Sequence, residues 1–91
     1  MARYVDKFGG TSVADAGRLY AAARKLAAAH REGNEVVGVL SAQAGATDAL
    51  LARAREIDPD CGGRELDALL STGELCSVSL CAMALRRLGV P

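Results

Sequence analysis

Three stretches of this sequence together predict an α/β fold. A short β-prone run, Tyr4-Val5-Asp6-Lys7-Phe8, closes on Gly9-Gly10. An alanine-rich stretch with apolar residues at helical spacing follows it. A second run, Glu35-Val36-Val37-Gly38-Val39-Leu40, is then apolar almost without interruption. Strand, helix and strand joined by short loops make a βαβ unit, for which a right-handed parallel crossover is expected.

The first strand rests on its valine, tyrosine and phenylalanine, and the paired glycines are the usual punctuation after a strand. Ser12 followed by Asp15 forms an S-x-x-D start signal, so a helix is predicted over 14–31, stopping at Gly33-Asn34. Val13, Leu19, Tyr20, Ala23, Leu26 and Ala27 supply its apolar stripe. The continuous apolar character of Glu35–Leu40 predicts a strand buried on both faces, as in a parallel sheet. Ser41-Ala42-Gln43-Ala44-Gly45-Ala46-Thr47-Asp48 reads as a small-residue loop feeding a helix over 48–57. Asp58-Pro59-Asp60-Cys61-Gly62-Gly63 breaks the chain, and a further helical region covers 64–88, with Ser71-Thr72-Gly73 as a kink or break. Leu88-Gly89-Val90-Pro91 reads as a helix stop followed by the first residue of another strand. Two parallel strands alone would both be edges carrying apolar faces, so the pattern describes the front part of a larger α/β domain.

Composition limits the function classes. The 91 residues allow one domain with a modest core, and 51% hydrophobic residues with only 3% aromatics suit helices around a small sheet. Eleven basic and eleven acidic residues cancel, which leaves no electrostatic footprint for nucleic acid. No uninterrupted apolar run reaches bilayer length, and MARYVDKFGG lacks the layout of a signal peptide. A soluble, cytoplasmic protein with no membrane partner is expected. The three cysteines, Cys61, Cys76 and Cys81, resemble neither a disulfide framework nor paired zinc ligands. Cys76 and Cys81 are expected as small buried thiols and Cys61 as an exposed one. The single histidine, His30, is expected to have a helix-terminal role or none, so no metal site is assigned.

Ligands of open α/β sheets collect beyond the carboxyl ends of the strands, and both loops there are unusual. Gly9-Gly10-Thr11-Ser12 leads into a helix N-terminus directly after Lys7. Glycines allow close backbone approach to an anion, amides point at it, and the lysine adds a full charge. Ser41 to Thr47 is a second hydroxyl-bearing loop opening a helix at the same edge. A plain strand–turn–helix and a phosphate seat both fit the first loop, which is neither GxxxxGK[ST] nor GxGxxG. Ser71-Thr72-Gly73-Glu74 also has two readings. Glu74 is either a first-turn carboxylate of a new helix or a group that binds an ammonium, and spacing does not choose.

Lys7-Phe8-Gly9-Gly10-Thr11-Ser12-Val13-Ala14-Asp15, then Val39-Leu40-Ser41-Ala42 through Gly45-Ala46-Thr47-Asp48, then Glu65 through Ser71-Thr72-Gly73-Glu74 closely resemble the aspartate kinases. The three motifs stand in that family's order and spacing. KFGGTS together with STGE separates it from the acetylglutamate, glutamate and uridylate kinases that share the fold. The resemblance implies the front part of an amino acid kinase fold, with residues 1–91 as the N-terminal part of the catalytic domain. It implies ATP and Mg2+ as cofactors, and phosphorylation of the L-aspartate β-carboxylate to 4-phospho-L-aspartate, the entry step to lysine, threonine and methionine. Lys7, Phe8, Gly9 and Gly10 would contact ATP phosphates, with Lys7 neutralising charge on the transferred phosphoryl group. Ser41 and Thr47 would help hold aspartate, and Glu74 its ammonium. The adenine pocket, a metal-orienting aspartate, an arginine for the α-carboxylate and the regulatory ACT domains would lie outside residues 1–91. A homo-oligomer is implied at full length, and the chain alone is expected to be inactive. A non-catalytic binding module and one piece of a split enzyme are the rival readings.

Overall fold

The computed structural model describes residues 2–90, and Pro91, the last residue of the expected helix stop and strand start, lies outside them. Strands β1 (Arg3–Phe8) and β2 (Glu35–Leu40) form a parallel pair, in register from Arg3↔Glu35 to Phe8↔Leu40. The amino end of the ladder is closed by Ala2, whose amide donates to Asn34 Oδ1 at 3.0 Å and whose carbonyl accepts from the Glu35 amide at 2.9 Å. Arg3 Nε and Glu35 Oε2 pair there at 2.7 Å, but both side chains are largely exposed, so the bridge adds little.

Helix α1 (Ala16–Arg31) crosses one face of the pair. Its buried side, Leu19, Ala22, Ala23, Leu26 and Ala27, follows the predicted stripe and adds Ala22 to it; Tyr20 is partly buried. The N-terminal signal differs from the expectation. A 3-10 turn, Gly10–Val13, precedes the helix, and Asp15 is the cap, accepting from the Arg18 amide at 2.8 Å. Ser12 is used up in the 3-10 turn, its amide bonded to the Gly9 carbonyl at 3.0 Å, and so cannot start the helix.

Helix α2 (Ala46–Ile57) buries no residue, and α3 (Gly63–Arg87) runs for 25 residues without interruption. The kink expected at Ser71-Thr72-Gly73 is absent. The two hydroxyls bond back to their own helix, Ser71 Oγ to the Ala68 carbonyl at 2.7 Å and Thr72 Oγ1 to the Leu69 carbonyl at 2.6 Å. Such back-bonding lets serine and threonine sit inside a helix. Gly73, Ser77, Cys81 and Ala84 make the buried stripe of α3, and its carboxyl half lies along α1. Arg31 at the end of α1 donates to the Leu88 carbonyl at the end of α3, so the two helices finish at the same end. The amino half of α3 and α2 project past the other end. The radius of gyration is 15.4 Å, against about 12 Å for a compact chain of this length.

The core joins Phe8, Val13, Leu19, Ala22, Ala23, Leu26, Leu40, Cys81 and Ala84. All of it lies between the sheet and the α1–α3 layer. The expectation that β2 is buried on both faces is therefore corrected: on the opposite face Val37 and Val39 are about half exposed, and Val5 of β1 about two-thirds. No helix of the described residues covers that face. Cys76 is also exposed, because it lies off the buried stripe of α3. Cys61 is half-buried, and only Cys81 is buried as expected. By length and composition α3 could cross a membrane, contrary to the sequence expectation. Its small-residue stripe packs on α1 and α2, while 22% of its most apolar 18-residue window is buried.

Candidate functional site

The carboxyl ends of β1 and β2 stand next to each other, so the two loops that leave them begin in contact. The Ser41 amide donates to the Phe8 carbonyl at 3.0 Å, one step beyond the ladder, and the Ala44 amide donates to the Gly10 carbonyl at 3.1 Å. Close packing requires the glycine at this point. A Cβ on Gly10 would lie 3.0 Å from the Ala42 carbonyl oxygen and 3.3 Å from the Ala44 nitrogen, both backbone atoms. Gly9 is different. Its φ of −75° and ψ of 174° suit any residue, and nothing lies within 4 Å of where its Cβ would be.

Strand alternation sends Lys7 and Phe8 to opposite faces. Phe8 is 8% exposed and belongs to the core, so a ligand could reach only its backbone. Lys7 is exposed, paired across the ladder with Val39, and has no ion pair among the described residues. Thr11 and Ser12 are exposed in the 3-10 turn. Arg18, which the sequence reading did not single out, holds this turn by donating to the Thr11 carbonyl at 2.9 Å. Nothing in its sequence context marks it, since an arginine three residues past a cap is ordinary. With Phe8, Thr11, Ser12 and Lys25 it lines an open cleft of about 460 Å3.

The second loop turns into α2 through Gly45, whose φ of +83° is the left-handed conformation that glycine adopts freely. Ser41 is half-buried and Thr47 is exposed in the first turn of α2. No side chain caps this helix start.

The third element meets the second loop at Gly73. A Cβ there would lie 3.0 Å from the Ala42 methyl carbon and 3.6 Å from Leu50 Cδ1. Thr72 faces the crevice between α2 and α3, which it lines with Gln43, Ala46, Ala49, Leu50, Arg53 and Cys76. Glu74 lies about 100° round the helix from Gly73, on the side opposite Thr72, and is exposed. Its reading as a first-turn carboxylate falls, because α3 begins at Gly63.

Loop, loop and helix thus converge on Ala42. Backbone amides and the hydroxyls of Thr11, Ser12, Ser41 and Thr47 lie in the two loops of this junction, Glu74 follows Gly73 by one residue, and Lys7 leaves β1 on the face opposite Phe8. Among the described residues no three His, Cys, Asp or Glu side chains come together to hold a metal ion.

Residues 2–91 match the amino acid kinase family. The aspartokinase of Mycobacterium tuberculosis is 47% identical over 89 residues, which is 98% of this chain and 21% of that protein. The Thermus thermophilus aspartokinase is 42% identical over 91 residues, 100% of this chain and 22% of its own length. The chain therefore spans about a fifth of the length of these curated relatives. The crystal structure of aspartate kinase from Synechocystis superposes with a TM-score of 0.88 at 41% identity, covering 97% of this chain and 15% of that one.

Proposed function

The chain belongs to the amino acid kinase family, and from that premise we propose that residues 1–91 are the N-terminal part of an aspartate kinase catalytic domain. The reaction is transfer of the γ-phosphoryl group of ATP to the β-carboxylate of L-aspartate, giving 4-phospho-L-aspartate and ADP. It opens the biosynthesis of lysine, threonine and methionine. The observation that carries this reading is the convergence of the two loops and α3 on Ala42 at the carboxyl edge of a parallel pair.

The substrate carboxylate is itself the nucleophile, so the protein needs to position two anions and stabilise charge, and supplies no attacking group. Lys7 brings its ammonium to the transferred phosphoryl group, where charge develops as the bond to ADP breaks. The Phe8–Gly10 backbone approaches the phosphates. Gly9, which nothing among the described residues requires to be a glycine, leaves room for that approach. Ser41 and Thr47 hold aspartate through their hydroxyls, and Glu74 accepts from its ammonium. Bound with ATP, Mg2+ would neutralise charge on the phosphates, and among the described residues no cluster of three His, Cys, Asp or Glu would hold it. The complete protein is read as a cytoplasmic homo-oligomer with no nucleic-acid or membrane partner.

The test is a graft. This chain replaces the matching segment of the Thermus thermophilus aspartokinase, and aspartyl phosphate is trapped as its hydroxamate. Product formation that requires both ATP and aspartate is expected. A folded, soluble graft that makes none sinks the reading.

A further inference from the structure

We propose that Gly73 and Ala42 are positioning residues that set the gap between Glu74 and the Ser41–Thr47 loop, and that Gly10 locks Ala42 from the other side. The inference rests on the reading above of Glu74, Ser41 and Thr47 as the aspartate-binding side.

Ala42 is held between two glycines. The Cβ position of Gly10 lies 3.0 Å from the Ala42 carbonyl oxygen, and that of Gly73 lies 3.0 Å from the Ala42 methyl carbon. Both distances are shorter than ordinary van der Waals contact, so a methyl group at either position forces its neighbour to give by a few tenths of an ångström. Backbone conformation does not account for Gly73. It is not among the glycines with positive φ, and in a helix interior glycine is the poorest choice after proline. Close approach to Ala42 is the physical reason that remains.

That contact governs Glu74 directly. Gly73 and Glu74 are consecutive in an uninterrupted helix, so a displacement at one moves the other with it. A methyl on Gly73 pushes α3 away from Ala42 by a few tenths of an ångström. On the far side of Ala42, Gly10 and the Ala44–Gly10 hydrogen bond of 3.1 Å resist the push, so α3 gives most and that hydrogen bond takes the remaining strain. The gap that aspartate spans between Glu74 and the loop therefore widens. A misplacement of about 1 Å costs about a hundredfold, so a shift of part of that is felt as about tenfold. The phosphate side, attached to β1, is left in place.

The test uses Gly73→Ala, Ala42→Gly and the two together. In the active graft, Gly73→Ala is expected to raise KM for aspartate about tenfold or more while KM for ATP stays within about twofold. Ala42→Gly in the same protein removes the methyl that the new one meets, and is expected to restore KM for aspartate to within about threefold of the parent. A purely structural clash would lower the melting temperature and the active fraction without this split between the two substrates. An unchanged aspartate KM in Gly73→Ala, or a double variant no better than the single one, overturns the proposal. The contact is also read in the 91-residue chain itself by exchange of the Ala44 amide hydrogen. Exchange should quicken in Gly73→Ala and slow again in the double variant, and exchange indifferent to both overturns the spacing argument. A graft inactive before any substitution counts against the proposed function, and the exchange result still judges the spacing.

Discussion

Gly9 and Gly10 are neighbours with opposite surroundings: a Cβ on Gly10 would press 3.0 Å from the Ala42 carbonyl oxygen, whereas one on Gly9 would meet nothing within 4 Å. The two alanine variants should therefore separate folding from ligand binding. Gly10→Ala forces backbone apart and should cost about 1–3 kcal/mol of stability, a fall in Tm of roughly 4 °C or more. Gly9→Ala should leave Tm of the chain within about a degree, since its φ suits alanine. In the graft, the same change should weaken ATP binding if the loop seats phosphate. Equal thermal losses for both variants would contradict this account of the junction.

Lys7 carries a second separation. It is exposed and has no ion pair among the described residues, so the folded chain should hardly notice its removal. Lys7→Ala should shift stability by no more than about 0.5 kcal/mol. In the graft it should cut kcat by about a hundredfold or more, the loss typical of a removed charge-stabilising donor. A variant that unfolds, or one that turns over normally, would show that Lys7 serves the structure or nothing.

Asp15 is the cap of α1, and Ser12 is not. Asp15→Ala should cost about 1 kcal/mol, with Asp15→Asn recovering most of it, because either side chain can accept from the Arg18 amide. Ser12→Ala should stay within about 0.5 kcal/mol of the parent. Thermal melts of the three variants decide between this cap and the S-x-x-D signal.

That cap shows where the sequence was legible and where it was not. Period and punctuation are local, so the βαβ order, the stripe from Leu19 to Ala27 and the breaker at Asp58–Gly63 could all be read in advance. Errors arose where a residue's reason lies far away in the chain. Gly73 reads as a break because its contact, Ala42, stands about thirty positions earlier. Val37 and Val39 read as doubly buried because an apolar strand carries no mark of which face is covered. The three motifs of the candidate site could be marked out in the sequence. That they meet at one alanine could not be read there, since small residues in a loop have no periodicity to betray a contact.

The three thiols give a last test that needs no ligand. Cys76 is exposed and Cys61 half-buried, whereas Cys81 is 3% exposed in the core. Burial pushes the Cys81 thiol above its ordinary pKa by penalising the thiolate. At neutral pH a thiol reagent should modify Cys61 and Cys76 readily, and Cys81 only as the chain unfolds. The folded state holds the Cys81 proton more tightly than the unfolded chain does. The stability linked to it is therefore complete below the ordinary thiol range and declines as pH rises through and beyond that range. Cys81→Ala should flatten that alkaline decline relative to the parent in denaturation curves taken at rising pH. Three thiols modified at one rate in the native chain would mean that α3 does not pack on α1 through Cys81.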